Sequence, residues 1–140
     1  LADVDDISEL SSLDGIICGI PTWNTGADSE RSGTAWDSML EEIGSMNLSG
    51  KKVAIFGLGD SSTYTENFCD AMEELHSFFA KAGATMVGYV SQDGYTFDES
   101  KSAVGDLFCG LPLDEDSESD MTDERLTKWA AQLKGEMSGL

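Results

Sequence analysis

Two kinds of hydrophobic pattern alternate along the chain. The first is a short unbroken apolar run: Val53-Ala54-Ile55-Phe56-Gly57 behind two lysines, and Gly15-Ile16-Ile17-Cys18-Gly19-Ile20 ahead of Pro21. Runs of this length without a polar face predict strands buried on both sides, as in parallel sheets covered by helices. Pro21 stops the earlier run because it has no N–H to offer the ladder. A third strand is expected over Thr85 to Val90. The second pattern is the i, i+3, i+4, i+7 stripe of a helix with one face on a core. Trp36, Met39, Leu40 and Ile43 form such a stripe, with Ser32 or Thr34 placed to cap the helix. Phe68, Met72, Leu75, Phe79 and Ala82 form another, on a helix from about Thr65 to Lys81 that Gly83 ends. Leu126, Trp129, Ala130, Leu133 and Met137 form the last. Leu1 to Leu13 reads as an acidic connector whose apolar positions, Val4, Ile7, Leu10 and Leu13, leave room for a turn of helix.

Strands alternating with helices, without repeats or low complexity, predict an α/β fold: an open parallel sheet with helices on both faces, in a single domain over residues 1–140. In such sheets ligands bind beyond the carboxyl ends of the strands. The candidate ligand loops are therefore Thr22-Trp23-Asn24-Thr25-Gly26-Ala27 after one strand and Leu58-Gly59-Asp60, running on to Tyr64, after the next. Ser91 to Phe108 is rich in Gly, Asp, Ser and Tyr and interrupts the sheet pattern before it resumes near Leu107 to Leu113. A loop that long inside a domain is usually functional or partner-binding.

Composition narrows the chemistry. The chain has 8 Lys and Arg against 27 Asp and Glu, a formal charge of −19, which disfavours nucleic acid and anionic membrane and is read equally as suiting basic partners or as simple solubility. No apolar run approaches the roughly 20 residues that span a bilayer. Cys18, Cys69 and Cys109 are widely spaced, without the spacing of metal ligands, and read as buried reduced thiols. His76, the single histidine, lies beside a helix's apolar face and reads as a boundary residue rather than a ligand or base. Gly57-Leu58-Gly59 lacks the third glycine of a dinucleotide fingerprint. Asp114 to Asp123 reads as a solvated acidic lead-in to the last helix.

Together PTWNTGADSERSGTAWD, FGLGDSSTYTENFCDAMEEL and GYVSQDGYTFDESKSAVGDLFCGLPLDEDSESDMTDERLTKWAAQL, in this order and spacing, resemble the long-chain flavodoxins of algae and cyanobacteria over essentially the whole chain. The resemblance implies an FMN protein that shuttles single electrons, standing in for ferredoxin between photosystem I and ferredoxin–NADP reductase, in an algal chloroplast stroma or a cyanobacterial cytoplasm. Carried over residue by residue, it puts Thr22, Trp23, Asn24, Thr25 and Gly26 on one side of the isoalloxazine, with Trp23 stacked on its inner face and Tyr64 over its outer face. Gly59 and Asp60 would meet the pyrimidine edge beside Leu58, which stands where many relatives carry a small polar residue. Asn67 and Asp70 would lie at the ribityl side. Family behaviour suggests that the Asn24-Thr25 peptide turns its carbonyl toward the reduced N5–H and stabilises the semiquinone. Aromatic faces exclude water and favour the flat uncharged ring, with stacking worth about 1 kcal/mol beyond area burial. One carboxylate about 10 Å from an anionic reduced flavin costs roughly 0.4 to 1.7 kcal/mol before screening. On this resemblance no side chain needs to act as acid, base or nucleophile, because the cofactor would do the chemistry and the protein tune it.

One departure from the family concerns the start. The first strand, the T-x-T-G-x-T phosphate loop and the first helix do not precede Leu1, so the resemblance supplies no phosphate nest in this sequence and implies an unpaired edge on Gly15 to Ile20. Two readings follow. One is a working FMN electron carrier whose start lies outside this sequence. The other is an FMN-free structural or docking subunit of a larger photosynthetic complex that covers the open edge.

Overall fold

The computed structural model describes residues 6–137. After a 3₁₀ turn at Ile7–Ser12, the chain runs β1 (Gly15–Pro21), α1 (Ala35–Ser45), β2 (Lys52–Leu58), α2 (Asp70–Lys81), β3 (Thr85–Val87), β4 (Val90–Ser91), β5 (Ala103–Val104), β6 (Leu107–Phe108), β7 (Leu111–Leu113) and α3 (Thr122–Glu136). Of the apolar positions assigned to the connector, Val4 lies outside the described residues, whereas Ile7 is buried in the core.

The run with no polar face became the central strand. β2 pairs in parallel with β1 along its whole length, Gly15 opposite Lys52 through Pro21 opposite Leu58. Its other edge is shared by two short strands, β3 beside Lys52 to Ala54 and β7 beside Phe56 to Leu58. The third strand predicted to reach Val90 is thus cut after Val87 and completed by Leu111–Leu113. The chain between them departs through Gly88 and builds a separate antiparallel sheet in the order β4-β6-β5. Leu107 and Phe108, read from sequence as the resumed strand, belong to this second sheet.

Helices cover both faces of the main sheet. On one face α1 and α2 bury Leu40, Ile43, Met72, Leu75 and Phe79 against Ile16, Cys18, Ile20, Val53 and Ile55. On the other, Trp129, Leu133 and Met137 pack on Ala54, Leu111 and Leu113. Each large side chain fully removed from water contributes about 2 kcal/mol. Leu126 and Ala130, predicted for the same stripe, face outward; Arg125 turns in instead, its guanidinium 3.9 Å from the centre of the Tyr95 ring. Cation–π attraction of this kind strengthens as the charge loses water, which explains a buried arginine where the apolar pattern predicts none.

β1 differs from its prediction. Ile16, Cys18 and Ile20 are buried, but Ile17 on the opposite face is 43% exposed because α3 lies over β2 and β7 and does not reach it. Among the described residues β1 is also an edge strand, paired only with β2.

Helix ends follow local chemistry. Thr34 caps α1 by accepting from the Trp36 N–H, while Ser32 donates to Asp37 and holds the turn beneath. Trp36 is structural, as predicted: its indole N–H donates to the Gly19 carbonyl and its ring meets Phe79 edge-on. α2 starts at Asp70 and not near Thr65. Cys69 occupies the left-handed region (φ 53°), which no helix continues through, and the Phe68 N–H is taken by the Glu99 carbonyl. Phe68 remains on the core all the same, as its place in the periodic stripe requires.

A candidate flavin groove at the carboxyl end of the sheet

Two loops leave the carboxyl ends of β1 and β2 side by side, because Pro21 and Leu58 are register partners and the Thr22 N–H donates to the Leu58 carbonyl. The groove they enclose, about 370 Å³, is lined by Pro21, Thr22, Trp23, Thr25, Leu58, Gly59, Asp60, Tyr64 and Asp116. Trp23 is 73% exposed and Tyr64 49%. Large aromatic faces left this open on two separate loops beside one groove are suited to covering by a flat ring.

The first loop is a hairpin-like excursion. Trp23 and Asn24 donate their N–H groups to the Ser32 and Arg31 carbonyls, at 3.1 and 3.0 Å. Its tip is closed by Ala27 donating to the Asn24 carbonyl, with Gly26 at φ 84°. Such a turn needs a positive φ at its third residue, and Gly26 supplies it without a Cβ clash. The Asn24 carbonyl is thereby engaged within the turn. Thr22 reaches the other way: its hydroxyl accepts the Ala71 N–H at 3.1 Å, satisfying one of the free donors of the first turn of α2.

The second loop is built on carboxylates. Asp60 Oδ1 accepts from the Ser62 and Thr63 N–H groups and from the Ser117 hydroxyl, and the Asp60 carbonyl accepts from Tyr64. The Thr63 and Ser117 bonds hold the exposed Asp60 carboxyl below its ordinary pKa, so it stays charged at the groove's edge. Asp114 is fully buried. Its Oδ2 takes both the N–H and the hydroxyl of Ser61, and its Oδ1 takes the Ser117 N–H at 2.7 Å. Gly59 sits where a Cβ would come within 2.8 Å of Cys69 Sγ and 3.0 Å of Cys69 N, so the loop approaches α2 more closely than any side chain allows.

Seven of the sequence candidates therefore share one lining: Thr22, Trp23, Thr25, Leu58, Gly59, Asp60 and Tyr64. Asn24 and Gly26 shape the turn beside it. Asn67 lines a separate shallow depression with Glu66, Glu99, Ser100 and Lys101. Asp70, assigned by the resemblance to the ribityl side, does not border the groove. It is 1% exposed, and its carboxylate accepts the Lys101 N–H at 2.8 Å with the Lys101 ammonium beyond, tying the excursion between β3 and β7 to α2. Sequence reasoning missed Asp116 and treated Asp114 as solvated; an acidic run carries no periodic signal that separates an inward carboxylate from its exposed neighbours. A second cleft of about 360 Å³ lies between α3 and the excursion, near Tyr89, Tyr95, Arg125 and Trp129. It lies away from the strand ends, and its guanidinium is already spent on Glu118 and the Gly94 carbonyl.

The remaining candidates are quiet. All three cysteines are free and buried, and burial pushes the Cys18 thiol up to about 12 and that of Cys109 to about 11. His76 is half-buried at the α2 boundary, its Nε2 2.6 Å from the Tyr89 hydroxyl. Among the described residues no group of acidic, histidine and cysteine side chains forms a metal cluster, and no helix is long and apolar enough to cross a membrane.

An open α/β sheet with helices on both faces and an aromatic-walled groove at its carboxyl end is the architecture of a nucleotide- or flavin-binding domain. Comparison with known proteins narrows the class. The flavodoxin family profile matches residues 1–129. A flavodoxin from Synechococcus elongatus is 41% identical over 131 residues, covering 94% of this chain and 75% of the relative. Flavodoxin 2 of Escherichia coli is 39% identical over 137 residues, with 96% and 77% covered. The crystal structure of Fusobacterium nucleatum flavodoxin bound to flavin mononucleotide superposes with a TM-score of 0.87 at 28% identity, covering 96% of this chain and 78% of that one. The chain belongs to the flavodoxin family.

Proposed function

We propose that this protein is a single-electron carrier that uses FMN, held with its isoalloxazine between Trp23 and Tyr64, and not an enzyme. The observation that carries the reading is the pair of exposed aromatics flanking one groove on two loops whose register is fixed by β1 and β2. FMN bound there supplies reversible one-electron chemistry. The chain's own residues shape its environment: Trp23 and Tyr64 exclude water from the two ring faces, backbone groups of the Thr22–Gly26 and Leu58–Asp60 segments face its polar edge, and Asp60 and Asp116 place negative charge beside it. That charge disfavours electron-rich anionic states of the ring and lowers the potential at which they form.

The same reading assigns the protein to the long-chain subtype, on the strength of the excursion between β3 and β7 with its own small sheet. It makes the partners photosystem I and ferredoxin–NADP reductase, in an algal chloroplast stroma or a cyanobacterial cytoplasm. The net charge of −19 suits basic docking surfaces and fast, salt-sensitive encounter. An FMN-free docking subunit is not favoured, because a surface relieved of flavin binding has no reason to keep two large aromatics exposed around one groove.

Titration of FMN with the full-length protein containing this chain tests the proposal. One equivalent should quench flavin fluorescence, and Trp23→Ala or Tyr64→Ala should weaken binding by roughly tenfold each, the equivalent of about 1.4 kcal/mol. Full-strength binding in both variants would remove the stacking assignment.

A further inference from the structure

We propose that Glu74, on the second turn of α2, is a positioning residue for the groove: its carboxylate sets where Trp23 stands, although it touches no part of the groove itself. The proposal rests on the flavin-groove reading above.

Glu74 is 7% exposed, and among the described residues neither of its oxygens pairs a cation. Oε2 accepts the Glu30 N–H at 2.9 Å and Oε1 the Arg31 N–H at 3.0 Å. A carboxylate is costly to bury unless its lone pairs are filled, and here two consecutive backbone donors from a loop more than forty positions away in the chain fill them. The pair of bonds holds the two consecutive peptide units on either side of Glu30, so that both the position and the direction of the chain are set there, which a single contact would not do.

The limb that begins at these two units carries the aromatic wall. The Arg31 carbonyl accepts the Asn24 N–H, the Ser32 carbonyl accepts the Trp23 N–H, and the Glu30 carbonyl accepts from Asn24 Nδ2 at 3.1 Å. Trp23 is 73% exposed, so packing of its ring does little to hold it, and its place is set by the backbone it hangs from. The returning limb Glu30–Ser32 is that support, and Glu74 is its anchor on the helix. Glu30 shows the same dependence in its backbone. It sits at φ 54°, a conformation that L-residues avoid and keep only when their surroundings impose it. Its side chain is exposed and enters no hydrogen bond among the described residues, so the restraint comes through its backbone groups. Arg31 reinforces the clamp by pairing with Glu73 and donating to the Asp70 and Asp28 carbonyls.

Glu74→Gln tests this, since it keeps size and shape but turns one acceptor into a donor that faces a backbone N–H. Glu41→Gln, on the exposed face of α1, is the control for loss of one charge. In full-length protein without FMN, the Trp23 and Asn24 amides should exchange with solvent about tenfold faster in Glu74→Gln and at the wild-type rate in Glu41→Gln. With FMN, Glu74→Gln should raise the dissociation constant about tenfold and change the separation between the two one-electron potentials, whereas a charge change acting at a distance leaves the wall and the affinity as they were. Wild-type exchange at Trp23 and Asn24 in Glu74→Gln would overturn the anchor. Faster exchange with unaltered affinity and separation would overturn its bearing on the groove. Failure of the wild-type protein to bind FMN would instead strike the function proposed above, while the exchange measurement still decides whether Glu74 holds Trp23.

Discussion

Asp114 shows how much one side chain can hold at the end of a strand. It ties the loop after β2 to the segment after β7 through three donors, the two from Ser61 buried and the Ser117 N–H partly so. Removing the acceptor leaves the N–H and hydroxyl of buried Ser61 unmatched, and each buried orphan costs about 1 to 3 kcal/mol. Asp114→Ala should therefore destabilise the protein by about 3 kcal/mol in urea unfolding, with an unchanged dependence on denaturant. A loss under about 0.5 kcal/mol, the scale of an ordinary surface substitution, would mean that water replaces the carboxylate. Side chains of this kind are hidden in a sequence. Trp23 and Tyr64 stand out because large aromatics are rare in polar loops, and a buried run such as Val53 to Phe56 declares itself by having no polar residue. Asp114, Asp70 and Glu74 look like the solvated carboxylates around them, and only the donors that reach them from distant segments set them apart.

Among the elements, α2 joins most of what matters. Its apolar stripe was legible, but its start was not, because the left-handed Cys69 and the capture of the Phe68 N–H by Glu99 depend on chain that arrives later in the sequence. The same holds for the strand split between β3 and β7: its apolar pattern is readable, whereas the assignment of Leu107 and Phe108 to a second sheet depends on which neighbour they pair with. At its middle α2 meets the root of the excursion through His76 and Tyr89. Burial holds the imidazole below its ordinary pKa of 6.5, against a smaller opposing pull from Glu73. Between the folded and unfolded values the unfolded chain binds the extra proton, so this contribution is complete above the unfolded value and is lost as pH falls through the folded one. Thermal melts at about pH 7.5 and pH 5.5, on either side of an ordinary histidine's pKa, should show a larger drop for the wild type than for His76→Gln. Equal drops would assign the acid sensitivity to the carboxylates alone.

At the scale of the molecule, both walls of the groove share one foundation. Thr22 from the first loop bonds to the Ala71 N–H, and Gly59 of the second lies against Cys69, so both loops meet the first turn of α2. That turn has no side-chain cap of its own; its donors are met by Thr22 and, at Glu73, by the Ser102 hydroxyl. Local opening in proteins proceeds in contiguous cooperative units rather than residue by residue. Here the unit comprises the two aromatic loops and the start of α2, three pieces of chain far apart in sequence. Native-state hydrogen exchange should give the amides of Asn24, Tyr64 and Ala71 one common opening free energy, lower than that of Ile55 at the centre of the sheet, and separate values would divide the unit. A groove built in this way has no independently moving wall: it is either formed on both sides or on neither, and a ligand that orders one aromatic orders the other with it.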